Sequence, residues 1–162
     1  MRPGWRFLSD QRGAAAVELA LILPLAVGIM LVTTDAAYYM LSEQRAVQGV
    51  RNAARYAARL NLSDFACPGG RFTGSLAAVQ NMAVYGSPDE LTPFVKGWKP
   101  ADVTVSVNCT PNQKGMYEAM GGNAPKVRVS TKFPSPSLMR EFGMPALNLL
   151  VAAEAESPVV GI

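Results

Sequence analysis

Apolar and polar positions divide the chain into three stretches. From Ala14 to Val32 nearly every residue is apolar, and Glu18 is the only charged one. A helix over these 19 residues would rise about 28 Å, close to the roughly 30 Å hydrocarbon core of a bilayer. From Asp35 to Leu60 the pattern becomes amphipathic. This stretch has no proline, and Gly49 is its only glycine. Val47, Val50, Ala54 and Ala57 recur at helical spacing on one face. Arg51, Arg55 and Arg59 repeat every four residues on another, as a solvated face does. Ala53, Ala54, Ala57 and Ala58 add helix propensity and leave a narrow surface. Together the two stretches predict one nearly continuous helix from about Ala14 to Leu60, on the order of 70 Å long. Pro24 and Gly28 are expected to bend or loosen it inside the membrane, and Tyr38 and Tyr39 suit the interfacial aromatic belt.

Beyond Leu60 the helical period gives way to breakers and alternation. Asn61 to Gly74 has turn chemistry, with Ser63-Asp64 and Cys67-Pro68-Gly69-Gly70. Ser75 to Tyr85 reads as a short helix with Ser75 as its N-cap, and Leu76, Val79, Met82 and Ala83 on one side. Pro88, Pro93, Gly97 and Pro100 make 87–101 an irregular loop, in which Trp98 reads as a core plug, with exposure to a partner as the alternative. Asp102 to Cys109 alternates with period two, placing Val103, Val105, Val107 and Cys109 on one face. A loop over 110–125 leads to a second strand, Lys126–Phe133. Its Val127, Val129, Thr131 and Phe133 point inward, while Arg128, Ser130 and Lys132 form a solvated basic face. The two strands are most simply antiparallel neighbours. Leu138 to Phe142 reads as a helical turn and Leu147 to Glu156 as the last strand. The fold class is α+β: a long N-terminal helix, then a small antiparallel sheet packed against it.

Charge and composition sharpen this outline. The chain has 162 residues with 15 basic and 12 acidic side chains, a net charge of +3. Without residues 1–13, and so without Arg2, Arg6, Arg12 and Asp10, 12 basic and 11 acidic groups remain. The basic excess therefore lies mostly in the leader, which implies no nucleic-acid partner. Three arginines precede the apolar segment and none follows until Arg45, so the positive-inside rule puts the N-terminus in the cytoplasm and the C-terminal domain outside. In an oxidising compartment Cys67 and Cys109 read as one disulfide. Two buried free thiols are the alternative.

Catalytic chemistry finds little support. The chain has no histidine, so a serine or cysteine nucleophile lacks its usual base. The paired glycines form no phosphate-binding pattern, and the carboxylates have no ligand-spaced companions. The expectation is a non-enzymatic protein with no metal and no cofactor. The organisation expected is a basic cytoplasmic leader over 1–13, a transmembrane helix over 14–34, its extracytoplasmic continuation over 35–60 and a periplasmic α+β domain over 61–162.

Glu18 decides how the leader is read. A carboxylate at the centre of a spanning helix costs about 2.5–3.5 kcal/mol, so such residues are usually functional. A conventional signal peptide has a shorter apolar region, and the best site after this one, Thr34-Asp35-Ala36, is poor. A cut between Gly13 and Ala14 would make Glu18 the fifth residue of the mature chain, one helical turn from a new α-ammonium. A negative side chain is favoured there.

Arg12-Gly13-Ala14-Ala15-Ala16-Val17-Glu18-Leu19-Ala20-Leu21-Ile22-Leu23-Pro24 resembles the TadE-like family of the tight-adherence (Tad/Flp, type IVc) pilus system. Leu19 stands where the major Flp pilins have Phe or Tyr, and those pilins are much shorter. The resemblance implies a pilin-like plan and a minor pilin or pseudopilin. A prepilin peptidase would cut between Gly13 and Ala14, and Glu18 would serve assembly. The partners implied are that peptidase, other minor pilins, the major Flp pilin and the assembly platform of the bacterial inner membrane. A minor pseudopilin of a type II secretion system is the nearest alternative, but such chains usually begin with Phe where this one has Ala14. A signal-anchored periplasmic binding domain unrelated to pili is another.

Overall fold

The computed structural model describes residues 12–67, 69–112, 117–118, 122–145 and 148–160. The basic leader before Arg12 lies outside them, as do Pro68, Gly121 and Leu147, which the sequence places in turns and at the start of the last strand. A single helix, α1, runs over Arg12–Ala57, 46 residues and about 69 Å at 1.5 Å per residue. It passes through Pro24 without interruption. Proline has no N–H to give the preceding turn, a loss that apolar surroundings tolerate when neighbouring groups satisfy the freed carbonyl.

The C-terminal half of α1 is the spine of an α+β domain. Strands β1 (Phe65–Ala66) and β2 (Arg71–Phe72) form a small hairpin after the helix. Helix α2 covers Leu76–Tyr85. The Ser75 side chain caps it by accepting the Ala78 amide hydrogen, and Gly86 ends it in the left-handed conformation at φ 73°. Strands β3 (Val103–Pro111), β4 (Asn123–Pro134) and β5 (Leu150–Pro158) form one antiparallel sheet in that order. A four-residue helix, α3 (Leu138–Glu141), lies between β4 and β5.

The alternation predicted for the two central strands is the one observed. Val127, Val129, Thr131 and Phe133 are buried, as are Val103 and Val107 opposite them. Both strands run further than the breakers suggest, so both ends of the expected 110–125 loop are ladder. Thr110 pairs with Ala124 and Pro111 with Asn123. Pro125 sits within β4 opposite Cys109. Its carbonyl accepts from the Val159 amide at 3.0 Å. Strand β5 begins three residues later than the apolar run at Leu147 and extends to Pro158. In α2, Val79 and Ala83 are buried as expected, but Leu76 is 46% exposed and Val84 is buried instead.

The narrow face of α1 is what the domain closes upon. Ala46, Val50, Ala53, Ala54, Ala57 and Ala58 are all buried. At Gly49 a Cβ would press on the Ala83 carbonyl oxygen of α2 and stand 2.7 Å from Cη2 of Trp98. The absent side chain is therefore what lets α2 and the indole approach. Trp98 is buried and stacks on Phe133, with centroids 5.1 Å apart and an interplanar angle of 14°. Its Nε1–H donates to Thr131 Oγ1 at 2.9 Å, and the Thr131 hydroxyl donates to the Asp102 carbonyl at 3.0 Å. This chain of bonds satisfies the polar atoms that the core would otherwise strand. Tyr39, placed with Tyr38 in the aromatic belt by the sequence, packs partly against this core instead.

Cys67 and Cys109 form a disulfide that joins the β1–β2 turn to β3. Their separation of 42 positions corresponds to a chain-entropy contribution of about 4 kcal/mol. Replacing both cysteines by serine is expected to lower unfolding stability by up to about that amount, read by denaturant titration in detergent. Gly49→Ala should recover about 1 kcal/mol of helix propensity but lose roughly 1–3 kcal/mol to overpacking. Gly49→Val, with a bulkier side chain and less propensity gain, should destabilise more. The order wild type, Ala, Val in melting temperature checks the close approach.

Candidate functional site: the exposed half of the long helix

The N-terminal half of α1 has no domain around it. Its most apolar 18-residue window has a mean hydropathy of 2.5 and none of it is buried, so this helix is long and apolar enough to cross a membrane. Leu19, Leu21, Ile22, Leu25, Ile29 and Met30 are all exposed. Such a surface suggests membrane anchoring. The polar groups at its far end are satisfied internally. Thr33 and Thr34 both donate their hydroxyls to the Met30 carbonyl, at 2.9 and 2.7 Å. Hydroxyls bonded back to their own helix can enter an apolar phase at little cost.

Gly13, Ala14 and Glu18 lie on this half. Gly13 is exposed, and a Cβ there would meet nothing within 4 Å. Glu18 is also exposed, as is every residue from Gly13 to Val27. Among the described residues α1 runs from Arg12, and its first turn there holds no acidic residue; Glu18 falls in the second turn. Starting the helix at Ala14 would move the terminus two residues toward Glu18. The new α-amino group and the carboxylate would then stand four residues apart on one face.

Where the helix leaves its apolar stretch, Asp35 ties it to the domain. Asp35 Oδ2 accepts from the Ser137 hydroxyl at 2.5 Å, and Oδ1 accepts from the Leu138 amide at 2.8 Å. The carboxylate thus sits at the N-terminus of α3, where Ser137 also caps the Arg140 amide. The Ser137 hydrogen bond is the main cause holding the Asp35 carboxyl below its usual 3.8. Partial burial opposes it, while the amides of Leu138 and Met139 and the nearby Arg140 reinforce it.

Residues 13–55 match the family model for TadE-like protein. The matched span begins one residue inside α1 and ends two residues before its terminus, so it is the helix and none of the sheet domain. The match supports a Tad pilus-associated protein. No curated protein and no solved structure matches the chain.

The helix matched by that model thus carries Gly13, Ala14 and Glu18, while the two cysteines lie beyond its C-terminal end. Asp35 was visible in the sequence only as the first charge after the apolar run. Its partners lie 102 and 103 positions away, a separation that no local pattern encodes. Gly49 had a legible signal, as the only glycine between Asp35 and Leu60 within a run of small residues. The predicted basic face is partly neutralised: Arg128 reaches Glu154 at 2.5 Å and Glu156 at 3.8 Å across the β4–β5 pair. These exposed pairs add little stability.

Asp35 gives a pH dependence with a definite sign. Its folded-state pKa is depressed, so its contribution is present above the ordinary value of 3.8 and is lost as pH falls through the lower folded value. Exchange of the Leu138 amide hydrogen, taken relative to its intrinsic rate at each pH, should therefore accelerate on acidification below pH 3.8. Asp35→Ala should accelerate it several-fold at neutral pH and remove the acid step. Hydrogen exchange resolved at Leu138 checks both.

Proposed function

We propose that the chain is a minor pilin or pseudopilin that acts in assembly of a Tad/Flp-type adhesive pilus, in a structural rather than a catalytic role. The observation that carries this reading is one uninterrupted helix with two environments. Its C-terminal half is the spine of a domain, while its N-terminal half is bare, apolar and matched by the TadE-like model. A subunit built this way can lie in a bilayer and later exchange lipid for neighbouring helices without refolding its domain.

In this reading the leader is cytoplasmic, the helix crosses the inner membrane once, and the disulfide-bonded domain lies in the periplasm. A prepilin peptidase cuts between Gly13 and Ala14. Glu18 then pairs with the α-ammonium of a neighbouring subunit, which offsets the cost of a carboxylate at that depth. The partners are other minor pilins, the major Flp pilin and the inner-membrane assembly platform. The exposed position of Glu18, within a run exposed from Gly13 to Val27, supports an intermolecular partner.

The first test is the N-terminus of protein extracted from membranes. The expected product begins at Ala14. An intact leader, or a cut near Ala36, would remove the pilin reading. The second test is Glu18→Gln. Cleavage should proceed normally while surface piliation falls sharply, read by N-terminal mass and by counting pili. Normal piliation by this variant would sink the proposed role of Glu18.

A further inference from the structure

The domain is held to the helix at two heights. At the lower end Asp35 binds Ser137 and Leu138, and Val32 and Ala36 share a groove with Met139, Pro145 and Leu149. At the upper end the Val160 amide donates to the Ala58 carbonyl at 3.0 Å. The rise along α1 converts these attachments into depth. Asp35 is three residues beyond Val32, the last residue of the apolar run, or about 4.5 Å along the axis. The headgroup layer of one leaflet is roughly 5–7 Å thick. A segment hydrogen-bonded to Asp35 and packed beside Val32 therefore lies at the depth of the headgroups whenever residues 14–32 span the hydrocarbon.

The surface found there is apolar. Phe142, directly after α3, is 70% exposed, more than Ile22 at 53% within the membrane segment itself. Leu149 is also exposed, and Pro145 and Met139 line the groove against Val32. Most nearby charges are paired, Lys96 with Glu141 and Arg140 near Asp35, while Arg45 on the adjoining pocket donates to the Phe94 carbonyl. Such a patch gains chiefly by burying hydrocarbon.

We propose that the shoulder around α3, from Pro136 to Pro145 together with Leu149, docks in the headgroup–acyl boundary of the bilayer that holds α1. It gives the subunit a second membrane contact beside its helix. The occupant is lipid, because the shoulder's depth follows from its attachment to the helix. The proposal rests on the membrane anchoring of residues 14–32 and goes beyond any pilus role.

The test uses the full chain in phosphatidylcholine nanodiscs with its disulfide intact. Single cysteines replace Phe142, Pro145, Ile29 or Val160 and carry an environment-sensitive fluorophore. Lipids bearing spin labels near the headgroup or deep in the acyl chain act as quenchers. Labels at 142 and 145 should be quenched by the shallow lipid several-fold more than the label at 160, and the label at 29 by the deep lipid. Quenching at 29 with 142 and 145 no different from 160 would overturn the proposal while leaving the anchoring intact. Blue-shifted but unquenched labels at 142 and 145 would also overturn it, since a protein neighbour would then cover the shoulder. Absence of quenching at 29 would remove the anchoring and the proposal with it.

Discussion

The structure depends on one close approach, at Gly49. The α1 backbone there comes near enough to the Ala83 carbonyl and the Trp98 ring that a single methyl group would not fit. The alanines above and below it, Ala46, Ala53, Ala54 and Ala57, keep the rest of that face equally thin. A thin face lets a long helix bury its backbone against a domain of about a hundred residues, which could not enclose a row of large side chains. The bulk comes instead from the other side, through Trp98, Phe133 and the valines of the sheet. The hydrogen bonds from Trp98 to Thr131 and from Thr131 to Asp102 then fix where the sheet stands relative to the indole.

The same helix carries two kinds of surface, and its composition changes along it. Below Asp35 large aliphatic side chains cover the whole circumference, as lipid or neighbouring helices require. Above it alanine faces the domain and arginine faces water. Asp35 stands at the change and holds the element of the domain that comes nearest the apolar half of the helix. The residues with a proposed role in assembly lie well below that joint. The family match over 13–55 takes in both the apolar half of the helix and most of the thin face that the domain closes upon.

Much of this was legible because it is periodic or compositional. The helix, the alternation of β3 and β4, the Ser75 cap and the burial of Trp98 all follow from local patterns. Strand ends were less legible, because Pro111, Pro125 and Pro134 read as breakers and yet lie within ladders, where register and the partner strand outweigh the missing donor. The turn to the exterior of Leu76 and the inward turn of Tyr39 reflect docking angles that a helical wheel does not contain. In the candidate site, Gly13, Ala14 and Glu18 could be read directly, being neighbours in sequence. The joint at Asp35 could not, since only the folded domain brings Ser137 and Leu138 to it.

Strand β5 and helix α1 run side by side in the same direction. Leu149 lies beside Val32 and Ala36 at one end, and Val160 is bonded to Ala58 at the other. Eleven residues of strand at about 3.3 Å each span the same length, roughly 35 Å, as some 23 residues of helix at 1.5 Å. A force drawing the helix along its own axis would therefore load this packed face in shear along its full length. The contacts would have to fail together, whereas a domain attached at one end could be peeled away one contact at a time. Such a load would be shared along the whole packed face, and the domain would stay folded under it.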